Sequence, residues 1–415
     1  MPWLRSLCTL LLCTLVVRGG DWPQWLGPTR NAASPEKVTP WNSPPKVLWR
    51  KPVGEGNSAP AVAKGRVFIH AKVRDKNVEE VVAFDAKTGN ELWRTPYPRA
   101  AFKSPYGNGS RATPAVAGGK VYSFGITGLL TCFEADGGKQ VWQVDTLKKF
   151  GAKNLFFGAA CSPLVAGKHV FVAVGAKEAS VVAFDKDTGE TAWKSQSDGA
   201  SYSSPILIEA DKTRQLVFLT ALGVVSLNPA DGALYWRSPL KDLLFESSTT
   251  PIRAGDMLMA SSITVGSVGL RLGDKDGAPA VEQVWKNTAL TSYFSTPVPI
   301  GPDHIYMVTG TNPLAALTER KTEATLRCIE ARTGKELWKR PKVGKYHASL
   351  MRTGDNKLLM LEEPGNLVLL DPSPKEYREL ARAKVCGETW AHPALSDGRF
   401  YVRDNKGLIC LQLAE

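Results

Sequence analysis

The 415-residue chain has little of what most soluble enzymes use for chemistry. Histidine occurs five times, at His70, His169, His304, His347 and His392. Neither a Gly-x-Ser-x-Gly elbow nor a Gly-x-x-x-x-Gly-Lys-Ser/Thr phosphate loop occurs, which excludes the commonest hydrolase and nucleotide-binding designs. Cysteine is sparse. Of the seven, Cys8 and Cys13 fall near the start, and the remaining five are an odd number with no Cys-x-x-Cys and no zinc spacing. That argues against a complete disulfide framework. Beyond the first residues no apolar run is long enough to cross a bilayer as a helix.

A phrase of eleven residues returns instead. Ala83-Phe-Asp85-Ala-Lys-Thr-Gly89-Asn-Glu-Leu-Trp93 reappears at Ala183 to Trp193 and at Cys328 to Trp338, with looser copies ending at Trp142 and Trp236. Asp85, Asp185 and Asn228 can accept backbone N–H groups across a tight turn, and the glycine four residues on supplies a positive-φ corner. Each copy is therefore a strand, a turn and a strand, with one large ring per repeat to fill the gap between stacked sheets. Cys132 and Cys328 occupy the small-residue slot held elsewhere by Ala83 and Ala183, and Cys410 sits equivalently, so these read as buried small residues.

A second phrase, a small, hydroxyl or histidine residue ahead of proline, opens each unit. It occurs at Ala59-Pro60, Thr113-Pro114, Ser162-Pro163, Ser204-Pro205, Thr250-Pro251, Thr296-Pro297 and His392-Pro393, with Ser349-Leu350 as the variant lacking proline. That makes eight units, and successive tryptophans from Trp49 to Trp338 lie 43 to 53 residues apart. Four short strands per such period define a propeller blade. The last unit ends one strand short, while Val47–Arg50 is a spare outer strand. The expected fold is an all-β, eight-bladed propeller of four-stranded antiparallel blades, the last closed by the N-terminal strand, which removes the open edge. Two units depart from the pattern: the seventh loses its glycine and tryptophan after Asp371, and the fifth has a displaced, lengthened turn before Trp285.

The Ala-x-Asp-x-x-x-Gly-x-x-x-Trp pattern resembles the tryptophan-docking motif of the PQQ-repeat, quinoprotein-like β-propeller family. The Asp21-Trp-Pro-Gln-Trp25 opening is also similar to that of many members. The family includes pyrroloquinoline quinone (PQQ)-dependent dehydrogenases and non-catalytic propellers, among them the outer-membrane assembly lipoprotein, which this chain resembles more. The dehydrogenases usually carry long insertions, a calcium held by acidic and amide groups and often a disulfide of adjacent cysteines. This chain has no adjacent cysteine pair, so PQQ and calcium are not favoured.

The ends of the chain add location. Arg5 precedes an apolar run of eleven residues, Leu7 to Val17, followed by Gly19 and Gly20, which reads as a signal peptide over residues 1–19. Lipidation at Cys13 is disfavoured because the preceding leucines lack a small residue. Residues 20–46, rich in Trp and Pro, read as an extended arm, and residues 47–415 as the propeller. The protein is expected to be exported, periplasmic or extracellular, and a monomer.

Strand parity separates the two faces of the disc. The Asp–Gly turns are short and share one face, while irregular loops at 94–110, 143–160 and 309–325 share the other, where binding usually sits. Counting three residues back from each proline, or from Leu350, predicts a ring of variable residues at the channel mouth: Asn57, Arg111, Tyr202, Phe294, His347 and Trp390, with Ala160 and Ser248 between them. His392 belongs to the same mouth. The loops of this face combine Arg99, Lys103, Lys148, Lys149 and Lys153 with Tyr97, Tyr106, Phe156 and Phe157. With a formal net charge of +12, such a surface suits a protein or other anionic, partly apolar partner. No nucleic-acid motif is present. The favoured reading is a non-catalytic interaction or assembly scaffold. The alternatives are a PQQ-dependent dehydrogenase, and a hydrolase or lyase using Arg111, Tyr202 and His347.

Overall fold

The computed structural model describes residues 20–311 and 322–413; the signal-peptide reading and Cys13 lie outside them, as does much of the loop at 309–325. Eight four-stranded sheets form the ring. Blades one to seven occupy residues 61–98, 115–145, 164–195, 206–239, 252–287, 298–344 and 348–384. The eighth combines both ends of the chain. Strand β1 (Val47–Lys51) pairs antiparallel with the C-terminal strand Gly407–Gln412, placing Trp49 opposite Cys410 and Arg50 opposite Ile409. The ring is therefore an all-β, eight-bladed propeller closed by its N-terminal strand. In seven blades the innermost strand begins on the residue after the proline, which cannot donate to the ladder and so marks the strand's first edge. Blade seven, with Leu350 in place of proline, starts its strand three residues earlier, at Ala348.

The repeated phrase is an inter-blade joint. The Asp85 carboxylate accepts the backbone N–H groups of Lys87 and Thr88, and Asp185 those of Asp187 and Thr188. Each turn so fixed receives the tryptophan of the preceding blade. The Trp93 indole N–H donates to Ala135 O at 2.9 Å, that of Trp142 to Lys186 O at 3.1 Å and that of Trp285 to Ala331 O at 2.9 Å. The turn glycine lies against the ring itself: a Cβ on Gly89 would stand 2.6 Å from Trp49, and one on Gly138 2.4 Å from Trp93. Trp49 of blade eight, donating to Ala86 O of blade one, makes the closing joint.

The two irregular units find substitutes. Blade five carries its turn out to Asp276 and Gly277 at the end of two ten-residue strands. With no turn to receive it, Trp236 donates to the buried Gln215 side chain of its own blade at 2.8 Å. Blade seven keeps a carbonyl for Trp338, that of Ser373 at 2.8 Å, but places Ala381 where the other blades carry tryptophan. Trp41 packs against the apolar cluster containing Ala381.

A belt of hydroxyls runs along the channel wall at the residue before five of the seven prolines. Ala59 N donates to Thr113 Oγ1, Thr113 N to Ser162 Oγ, Ser162 N to Ser204 Oγ and Thr250 N to Thr296 Oγ1, each crossing from one blade to the next. The second repeated phrase thus satisfies backbone N–H groups that the proline edge leaves without a ladder partner.

Residues 20–38 are wound into the channel as a plug, and residues 39–46 run on, mostly exposed, to β1. Trp22 exchanges backbone hydrogen bonds with Val62 of blade one, and Pro23 O accepts from Val116 of blade two. The buried Arg30 guanidinium donates to Ser162 O and Pro163 O of blade three. The Trp25 indole N–H reaches Thr250 Oγ1 in the belt, at 2.8 Å, and Ala32 and Ser34 bond Arg352 of blade seven. Repeated turning puts Leu26, Arg30 and Ala32 at positive φ, so the first part of the segment is wound rather than extended. The segment enters beside the short turns, where Lys64 N bonds Asp21 and Gly398 N bonds Glu36, so the channel is blind from that face.

Two measurements test this construction. Gly65 and Gly89 share a left-handed φ, but a Cβ on Gly65 meets nothing within 4 Å. Gly65→Ala should cost about 1–2 kcal/mol in backbone strain, and Gly89→Ala at least about 1 kcal/mol more from collision with Trp49; equal urea midpoints would contradict the docking role. Deleting residues 20–50 should abolish a cooperative melt of the ring, and a deletion variant melting like the parent would rule out closure by β1 and the plug.

Candidate functional site

The mouth is built where blade-to-blade connections and the loops between second and third strands converge, above the hydroxyl belt. Seven of the eight slots hold half-exposed residues, and the eighth, His347, is buried. Its Nδ1 pairs with Ser295 Oγ at 3.0 Å and its Nε2 with Ser349 Oγ at 2.9 Å. His392 is also buried, held by Leu350 O and edge-on to Trp25. Neither imidazole is presented to the mouth, so the expectation for these two side chains is corrected. The cause is local: with Leu350 replacing proline, strand pairing starts at Ala348 and draws His347 into the wall.

The remaining rings form two arcs. On one side Phe157 meets Tyr106, Phe156 and Tyr202 at centroid distances of 4.9–5.4 Å. On the other Phe294 stacks on Tyr293 at 3.7 Å and on Trp390 at 5.2 Å, with Tyr346 edge-on to Trp390. Phe294 belongs to blade six and Trp390 to blade eight, so their rings meet across the blade that contributes His347. Sequence reasoning missed the residues that hold this arc. The Glu363 carboxylate accepts from Trp390 Nε1 and from Lys345 N and Tyr346 N, and Tyr293 donates to Glu246 while its carbonyl accepts from Ser248. Glu363, beside a Pro-Gly turn between second and third strands, was the one such signal available.

Arg111 is committed to the scaffold. Its guanidinium donates to Phe157 O at 2.7 Å and to Tyr106 O and Gly107 O at 3.2 Å, and burial holds its pKa below the usual arginine range. Tyr202 supports the same loop by accepting from Phe157 N at 3.1 Å. Asn57 bonds Ser110 through its backbone, and among the described residues no side-chain partner holds its carboxamide. Two residues expected on this face are buried instead. Tyr97 faces inward to His70 at 2.7 Å, and Arg99 bonds Ala100 O and Asn108 O. Tyr97 is in the register that points to the core, between Thr95 and the strand end, where the repeat has no fixed residue to reveal it.

The donor set does not fit a quinone cofactor with calcium. Among the described residues no three His, Cys, Asp or Glu side chains converge as a cation site. Glu246 and Glu363 are already engaged, Glu55 pairs with Lys72, and Arg111 is committed to three carbonyls rather than free to balance a carboxylate.

Fold and site together define a PQQ-repeat β-propeller whose channel is plugged from the turn face and whose mouth is an aromatic, hydrogen-bonded surface. A family model described as "Outer membrane protein assembly factor BamB" matches residues 32–99 and 77–324, and the chain belongs to that family. It is 24% identical over 315 residues to the outer membrane protein assembly factor BamB of Yersinia pestis, covering 72% of this chain and 73% of that one. Among solved structures, BamB from Moraxella catarrhalis superposes with a TM-score of 0.57 at 15% identity, over 89% of this chain and 97% of that one. A quinohemoprotein alcohol dehydrogenase from Comamonas testosteroni superposes at 0.64 and 15% identity, over 95% and 81%. These two likenesses show the shared fold alone.

Burial lowers the pKa of His347 to about 3 and that of His392 to about 4. Both fall below the unfolded value of about 6.5, so the unfolded chain binds more protons as pH drops. Stability from these groups is whole above about pH 6.5 and is lost toward pH 3–4, by up to about 1.4 kcal/mol per histidine per unit. Urea midpoints from pH 8 to pH 4 should fall, and the slope should be shallower in His347→Gln; an unchanged slope would contradict the buried neutral state.

Proposed function

We propose that this chain is a non-catalytic, exported propeller that serves as a protein-binding scaffold in outer-membrane protein assembly, engaging its partner through the channel-mouth face. The proposal includes residues 1–19 as a signal peptide and residues 47–415 as the ring, with a periplasmic location. Family membership supports it, and one observation carries the choice of face. The connection from blade four to blade five exposes Leu243 and Phe245, 60% and 47% accessible, on a loop that is held rigid.

The rigidity has a clear source. The buried Asp242 carboxylate accepts Leu244 N and Glu246 N within the loop and the Ser262 and Thr264 hydroxyls of the next blade. Phe245 sits at φ 59°, a strained setting for a bulky residue, with Lys241 over its ring at 5.6 Å. A fixed apolar pair with a cation beside it loses little entropy on docking. Tyr106 and Phe156 extend the exposed apolar set across the same face, and Lys103, Lys148, Lys149 and Lys153 are exposed on the same two connecting loops. Lys148 and Lys149 lie on the helix α1 (Thr146–Phe150), capped by Asp145. The matching partner surface is apolar at its centre and acidic at its rim.

The test is capture from membrane extracts with identification of the bound chains. Leu243→Asp with Phe245→Asp should weaken capture of an outer-membrane assembly component by roughly 30-fold or more, the size of an interface hot spot. Reversing Lys148, Lys149 and Lys153 to Glu should weaken it less and flatten its salt dependence. Reversing Lys186 and Lys335 in the turns of the opposite face should leave it unchanged. Equal loss from the turn-face variants would show that the face is wrong, and dye reduction on adding PQQ, calcium and an alcohol would show that the protein is an oxidoreductase.

A further inference from the structure

Across the mouth from Leu243 and Phe245, a cavity of about 330 Å³ opens between blades eight, one and two. Its charged lining is almost wholly consumed by the protein. Arg403 is buried and donates to Ser58 O, His70 O and Gly54 O, and Arg111 is held by three carbonyls as described. The Asp404 carboxylate accepts Gly387 N, Lys406 N and Gly407 N and pairs with Arg50, and Glu55 pairs with Lys72. Phosphate or carboxylate ligands would find no uncommitted guanidinium, and a cation would find no carboxylate cluster among the described residues.

What remains toward the cavity is a set of carboxamides and one carboxylate, with no uncommitted cation. Among the described residues, the carboxamides of Asn57 and Asn405 and the Nδ2 of Asn108 have no side-chain partner that competes for them, and the Glu388 carboxylate has no ion pair. Carboxamides donate and accept at once, as adjacent hydroxyls of a polyol do. Tyr106, 54% accessible, and Trp390 supply aromatic surface, and Trp390 is fixed by Phe294 and Glu363. Apolar ring faces flanked by paired donor-acceptor groups match a saturated ring with C–H faces and a hydroxylated edge.

We propose that this cavity binds a neutral saccharide, one or two sugar rings of an uncharged glycan, at a site separate from the Leu243–Phe245 loop. The ligand's apolar face packs on Trp390 and Tyr106, and its hydroxyls bond Asn57, Asn405 and Glu388. The cavity volume is at the lower end for ligand pockets, about 300 Å³ upward, which limits the bound unit to a short stretch.

The test uses the intact mature protein and four neutral trisaccharides, maltotriose, cellotriose, laminaritriose and chitotriose, in calorimetric titrations, with an alginate trisaccharide as the anionic control. At least one neutral probe should bind in the millimolar range or tighter, about 1 mM or below, and the alginate trisaccharide should not. Asn57→Ala with Asn405→Ala should lower that affinity roughly tenfold or more, and Tyr106→Ala should lower it with an unchanged melting temperature. Leu243→Asp should leave it intact, which separates this site from the partner surface. Absence of binding by all four neutral probes, stronger binding of the alginate trisaccharide, or an affinity indifferent to the double variant would overturn the proposal.

Discussion

The ring depends on one contact made again and again: an indole docked on a glycine turn of the next blade, its N–H on a backbone carbonyl of that turn. The contact combines burial of a large ring with a hydrogen bond that satisfies its only polar atom, so neither part is left costly. It also explains why the turn carries aspartate and glycine together. Aspartate fixes the turn by accepting two N–H groups, and glycine removes the Cβ that would stand inside the neighbouring indole. Where glutamate stands in for aspartate, at Glu134 and Glu330, the glycine still admits the indoles of Trp93 and Trp285.

Because each blade contacts only its neighbours, the ring is as strong as its closing joint. That joint is made by β1 and Trp49, which sit next to the plug in sequence. The same N-terminal stretch therefore fills the channel, bridges to blades on several sides and supplies the last outer strand. Arg30 shows the constraint at its sharpest: burial lowers its pKa to about 9, and its fork reaches two carbonyls ahead of blade three's first strand. A buried cation with these acceptors is tolerable only where the chain around it is fixed.

How much of this was legible follows from where residues repeat. The blades, their number, the closing strand and the turn chemistry were legible because a fixed residue recurs at a fixed offset: Asp85, Gly89 and Trp93 have counterparts in most units. The plug was not, since residues 20–46 occur once and their partners, such as Thr250 and Arg352, lie hundreds of positions away. The mouth was legible as a place but less so as chemistry. Counting back from proline located Arg111, Tyr202, Phe294 and Trp390 beside one another in two aromatic arcs, yet the same count failed in side-chain direction at His347, where proline is missing. Asp242 and Glu363, which anchor the loops of this face, carry no repeat signal at all.

The two faces of the disc are unequal for a physical reason. On the turn face most loops are already committed, because six of the turns are sockets for a neighbour's tryptophan and the channel there is filled by the plug. Substitution on that side acts on the joint before it can act on a partner. The mouth face has no such obligation: its loops hold themselves, through Asp242, Glu363 and the carbonyls around Arg111, and leave rings and carboxamides facing outward. Variation there is released from the geometry of closure. A fold that confines its repeated residues to one face is free to vary the other, and that freedom lets one architecture carry both oxidoreductases and assembly factors.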